Sequence, residues 1–103
     1  MSIVSIITVG DVRQAEEIAK CLVEEKLAAC VNILPSVRSV YRWKDKVEES
    51  TEFMLMVKTE QRVFERLKRR VLELHSYELP EIIALNISEG LKRYLDWISA
   101  NVE

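Results

Sequence analysis

Two long strand-like runs lie back to back in this chain and limit the folds open to it. Leu27 to Leu34 is apolar, Pro35 punctuates it, and Val37 to Trp43 continues in strand-like residues. After the polar turn Lys44-Asp45-Lys46, Val47 to Thr59 returns as a partner strand. The 18 residues from Leu27 to Lys44 would extend over about 60 Å at about 3.3 Å each, whereas a domain of this length has a radius of gyration near ~13 Å. The hairpin must therefore bend or overhang. Pro35 supplies a bend, and an arm from Ser36 to Glu52 still offers unpaired strand edges that closed symmetric assembly can satisfy.

The remaining elements follow from periodicity. Ser2 to Thr8 is rich in β-branched residues on both faces and predicts a central strand. Gly10 and Asp11 interrupt it. Asp11 with Gln14 makes a capping-box-like start to a helix over about residues 12 to 26, with Val12, Ala15, Ile18, Ala19, Leu22 and Val23 at helical spacing. Thr59 is placed to cap a second helix in which Val63, Leu67, Val71 and Leu74 face inward. Glu81 to Ile87 predicts a fourth strand, and Ser88 with Gly90 leads into a short helix carrying Leu91, Tyr94, Leu95 and Ile98 on one face.

This order predicts an α+β, ferredoxin-like βαββαβ sandwich with an extra C-terminal helix, as a single domain over residues 1–103. Right-handed crossovers put both long helices on one face of the sheet. The other face is also apolar, with Met54 and Met56 opposite Phe53, Leu55 and Val57, so something else must cover it. A homo-oligomer held partly by intersubunit strand pairing meets both needs.

Composition narrows the classes of partner. Lys and Arg number 15 against 17 Asp and Glu, a net charge of −2 that favours neither nucleic acid nor anionic membrane. Arg66, Lys68, Arg69 and Arg70 are diluted by Glu65 and Glu73 and read as a solvated helix face, and the strands carry no aromatic RNA-binding pattern. No stretch approaches the roughly 20 apolar residues that cross a bilayer, and Met1 to Gly10 lacks a signal-peptide pattern, so the expected location is cytoplasmic. Charged residues at 31%, with few glycines, prolines and amides, resemble a thermophile's composition. Cys21 and Cys30 have no metal-type spacing and read as free thiols. Met54 and Met56 could offer sulfur to copper(I), but gap-filling is the simpler role.

The chemistry concentrates in His75-Ser-Tyr-Glu-Leu-Pro-Glu81, which holds the only histidine beside two carboxylates. Imidazole with carboxylate suits copper(II) or zinc, which makes His75, Glu78 and Glu81 the candidate metal ligands. The alternative is a histidine that ends a helix and meets its last carbonyls. Tyr41 and Trp43 share one strand face and form either a ligand surface or an intersubunit contact. Lys58 stands where its ammonium could reach an anion or a surface ion pair. With only Gly10 and Gly90 there is no phosphate-cradling loop, and no local Ser-His-Asp or Cys-His signature appears.

Ala28-Ala29-Cys30-Val31-Asn32-Ile33, then Ser39, Tyr41 and Trp43, then Glu52, Lys58-Thr59, His75-x-Tyr77-Glu78-x-Pro80-Glu81 and Tyr94-x-x-Trp97, resemble in order the CutA divalent-cation-tolerance proteins. The resemblance implies a homotrimer related in architecture to PII-like signalling proteins. It implies a non-enzymatic role in tolerance to, or binding of, copper or another divalent cation that folding does not require. A second reading is a PII-like sensor or scaffold whose intersubunit clefts hold a small anionic ligand or dock a partner protein through Tyr41, Trp43, Lys58 and Tyr77. The chain departs from the family in carrying Ile7 where some members place cysteine, and Leu74 where some pair a second histidine with His75. Ser76 and Gly10 stand where proline is common.

Overall fold

A computed structural model describes the whole chain, Met1–Glu103. The elements are β1 (Ser2–Val9), α1 (Val12–Glu24), β2 (Cys30–Trp43), β3 (Lys46–Glu60), a single 3-10 turn (Gln61–Val63), α2 (Phe64–Leu74), β4 (Ile82–Asn86) and α3 (Lys92–Ala100). The four strands form one antiparallel sheet in the order β2-β3-β1-β4. This is the expected ferredoxin-like arrangement followed by a C-terminal helix.

Alternation along the strands separates two faces. Ile3, Ile7 and Val9 of β1 and Leu55 and Val57 of β3 are buried beneath α1 and α2, against Ala15, Ile18, Leu22, Val63, Leu67 and Val71. Each of these larger side chains contributes roughly 1.5–3 kcal/mol through its removal from water. The opposite face carries the row Met56, Ile6 and Ile83 across β3, β1 and β4, with Leu85 beside it. Ile83 and Leu85 are 46% and 53% exposed, so this second apolar face is open in the single chain.

The hairpin both bends and overhangs. β1 ends opposite Phe53, which leaves Lys46 to Glu52 paired only with β2. The β2–β3 register passes from Leu34↔Met54 to Val37↔Glu52, so one extra residue lies in β2, and Ser36 there has φ of 60°. This bulge exchanges the faces of β2: Leu34 precedes it on the open face, and Val37, Ser39, Tyr41 and Trp43 follow on that same face. The chain is elongated, 44 × 26 × 22 Å, with a radius of gyration of 14.0 Å.

Asp11 caps α1 as expected, its Oδ1 accepting from the Gln14 amide at 2.9 Å. The other half of the capping box is absent, because the Gln14 side chain reaches toward the loop after α2. α1 stops at Glu24, and Lys26 takes the left-handed conformation, φ 59°, while Leu27 N donates to Leu22 O and Lys26 N to Val23 O. That is a Schellman ending with lysine where glycine fits best. A left-handed L-residue costs roughly 1–2 kcal/mol, part of which glycine loses again as unfolded-state entropy. Lys26→Gly should therefore stabilise the fold by about 0.5–1 kcal/mol, measured as a higher urea midpoint with an unchanged slope.

Thr59 does not cap the second helix. Its buried hydroxyl donates to Leu27 O at 2.7 Å, tying β3 to the turn before β2, and the 3-10 turn intervenes before α2. A threonine at the end of a strand meets a backbone carbonyl as readily as it caps a helix. On α3 only Ile98 is fully buried, whereas Leu91 and Tyr94 are 73% and 40% exposed, so the expected apolar face is only partly used within the chain. Arg62 holds the end of this helix by donating to the carbonyls of Ser99, Val102 and Glu103. No helix is long and apolar enough to cross a membrane.

Candidate functional site

The loop from His75 to Glu81 crosses one end of the sheet, where four elements fix it. His75 N donates to Val71 O at 2.8 Å and closes α2. Gln14 Oε1, from α1, accepts from Ser76 N at 3.3 Å and Ser76 Oγ at 3.1 Å. His75 Nε2 lies 2.7 Å from Thr8 O of β1, and Nδ1 lies 3.1 Å from the Tyr77 amide. A carbonyl accepts and an amide donates, so this geometry requires the hydrogen on Nε2 and the lone pair on Nδ1. Both ring nitrogens are engaged by backbone.

Tyr77 supplies the fourth anchor. Its ring packs 4.8 Å from that of His75, centroid to centroid, and its hydroxyl donates to Glu52 Oε2 of β3 at 2.7 Å. Glu52 is 6% exposed. Burial, reinforced by the hydrogen bond to Glu52, raises the Tyr77 phenol well above its ordinary range. The phenol therefore remains a donor throughout physiological pH. Gly10 makes room for it, since a Cβ there would come 3.1 Å from the Tyr77 hydroxyl.

Between this loop and the hairpin arm lies a groove of about 1000 Å³. Tyr41 and Trp43 line it from β2, Glu52 from β3, and Tyr77, Glu78 and Glu81 from the loop. The bulge in β2 is what turns Tyr41 and Trp43 toward this side. Glu78 and Glu81 are exposed. Arg38 and Arg42 also border the groove, and Arg38 is spoken for by Glu49 at 2.6 Å.

The candidate residues thus meet only in part. Tyr41, Trp43, Tyr77, Glu78 and Glu81 share the groove, whereas Lys58 does not: it pairs with Cys30 and Val4 toward the other end of the open face. His75 stands behind the loop as an anchor, its Nε2 hydrogen given to Thr8 O and its Nδ1 lone pair taken by the Tyr77 amide. No three His, Cys, Asp or Glu side chains gather within the chain into a metal-holding group. Glu52, buried at the centre of the site, matches the family resemblance but stands out in the sequence on no other ground. A lone carboxylate on the strand face of Met54 and Met56 is the available signal.

The sequence matches the model of the family described as CutA1 divalent ion tolerance protein over residues 3–101. It is 52% identical over 101 residues to the divalent-cation tolerance protein CutA of Thermus thermophilus, with 98% of each chain covered. It is 47% identical over 97 residues to the protein of the same name from Archaeoglobus fulgidus, covering 94% of each. The fold is similar to the solved Cut A1 protein of Thermus thermophilus, with a TM-score of 0.98 at 51% identity over the whole of both chains. Agreement of sequence and fold along almost the full length places this chain in the CutA1 divalent ion tolerance protein family.

Proposed function

We propose that this protein is a homotrimeric, non-enzymatic handler of divalent cations, copper(II) among them, which it contacts through Glu78 and Glu81 on the anchored loop. The observation that carries this reading is the loop itself. Backbone and side-chain bonds to α1, β1 and β3 fix it, and it presents two exposed carboxylates at a groove mouth. Hard carboxylate oxygens suit divalent cations, and borderline copper(II) and zinc also accept them. The family name supports a relation to divalent cations. One chain supplies too few ligands for a tight site, so a trimer that brings loops or arms together strengthens it. The open apolar face and the unpaired arm edges support that assembly.

His75 enters this reading as the residue that positions the loop. Its Nδ1 lone pair reaches the ion only by giving up the Tyr77 amide, and Nε2 only after its hydrogen has moved and both partners are released. An anionic ligand held by Lys58 gains no support, because Lys58 lies outside the groove and the loop facing it is acidic.

Calorimetric titration of copper(II), with zinc(II) for comparison, tests the proposal. Saturable binding to the wild type is expected to weaken at least about tenfold in Glu78→Gln/Glu81→Gln, and less than about tenfold in His75→Ala. Equal binding by the wild type and the double variant would overturn the assignment of the carboxylates.

A further inference from the structure

We propose that the floor of the groove binds a primary ammonium group, with Glu52 as the anchoring carboxylate and Tyr41 and Tyr77 as the neighbouring aromatic wall. This site is separate from the exposed carboxylates of Glu78 and Glu81 and stands without them. Glu52 is 6% exposed, and its single hydrogen bond within the chain is from Tyr77 to Oε2, so Oε1 has no partner. Two residues earlier on the same strand face, Ser50 Oγ is buried with no hydrogen-bond partner, and Ser39 lies directly across from it. A buried hydroxyl left unpaired is costly, and a carboxylate held at low exposure with one donor gains from a second. Ser50 Oγ is the buried atom left unpaired, while Glu52 Oε1 still reaches solvent, and a cationic donor seated there would meet both at once.

The chemistry selects an ammonium over a metal ion. An ammonium has three donors and no need of several anionic ligands, so one carboxylate oxygen and neighbouring hydroxyls satisfy it. A metal ion would be under-coordinated, since no three acidic, histidine or cysteine side chains gather there. Aromatic faces within about 6 Å of a cation add attraction through their quadrupoles, and Tyr77, bonded to Glu52, lines this part of the groove with Tyr41. The ammonium has two possible sources, a free small amine or a lysine of a second copy. Lys58 is the lysine assigned to this role: like Lys46 it lies on the open sheet face without an ion pair in its own chain, and unlike Lys46 it stands in the part of the sheet that is open to assembly beside β1.

The test is a titration of n-butylamine near neutral pH, with n-butanol as the uncharged control. It is followed by chemical-shift changes of the Ser50 and Glu52 amides. The same titration is run in a Lys58→Gln version. Saturable binding with a dissociation constant on the order of 1 mM, at least about tenfold weaker in Glu52→Gln and absent with n-butanol, supports the site. Binding in the Lys58-containing protein identifies a free amine as the natural class of ligand. Binding only after Lys58→Gln identifies the second copy's lysine as the occupant. Intermolecular nuclear Overhauser effects between butylamine and the Tyr77 ring decide the matter if Glu52→Gln does not fold. No binding in either background, binding indifferent to Glu52→Gln, or absence of those ring contacts overturns the proposal.

Discussion

Ile6→Asp is expected to yield a folded protein that no longer assembles. Ile6 sits between Met56 and Ile83 at the middle of the open sheet face, on the side away from the helices. In the lone chain it is half-buried, so an aspartate there keeps contact with water and leaves the core of Ile7, Leu55 and Leu67 untouched. In an assembly that covers this face, the new carboxylate loses its hydration without a partner, at several kcal/mol per site. The association constant should fall by about a thousandfold or more. Sedimentation equilibrium at micromolar concentration would then show a trimer for the wild type and a monomer for the variant, with far-ultraviolet dichroism preserved. A variant that remains trimeric would mean that this face is not the interface.

Tyr77→Phe carries the second large effect. It removes the phenol that meets Glu52 at 2.7 Å and leaves a 6%-exposed carboxylate without a donor from its own chain. Hydrogen bonds to charged groups contribute about 1.5–3 kcal/mol, so chemical denaturation should report a loss of that size. pH provides an independent signature. The folded-state phenol titrates above its unfolded value, chiefly through burial and then through Glu52. Its contribution is therefore complete below pH ~10, the unfolded phenol range, and is lost as pH rises beyond it. The wild type should lose stability on the alkaline side of that value, and Tyr77→Phe should lack that share of the loss. An alkaline profile identical in both proteins would mean that the Tyr77–Glu52 bond contributes little.

Element order is legible because apolar periodicity switches cleanly between strand and helix spacing, and the overhanging arm follows from length alone. Pro35 marks the bend, but the register change depends on Ser36 adopting a positive φ, which no side-chain pattern announces. Thr59 and Gln14 depart from their expected roles for one physical reason. Polar side chains bond to whichever groups the tertiary fold brings near, and both find distant partners, Thr59 the Leu27 carbonyl and Gln14 the amide and hydroxyl of Ser76. The acidic loop is evident from composition. That Thr8 and Tyr77 occupy both nitrogens of His75 is not, since it depends on a contact across 67 residues of chain. Charge alone draws Lys58 to the ligand site, whereas strand register sets it at the other end of the sheet.

In the proposed function the anchored loop offers carboxylates to a cation while His75 holds the loop in place. Pulsed electron paramagnetic resonance of copper(II) bound to the untagged protein tests it most directly, because the remote nitrogen of a coordinated imidazole modulates the echo. Saturable copper(II) without imidazole modulation is expected, with loss of the signal in Glu78→Gln/Glu81→Gln. Strong imidazole modulation that disappears in His75→Ala would contradict it, by showing that the ring leaves Thr8 or Tyr77 to become a ligand.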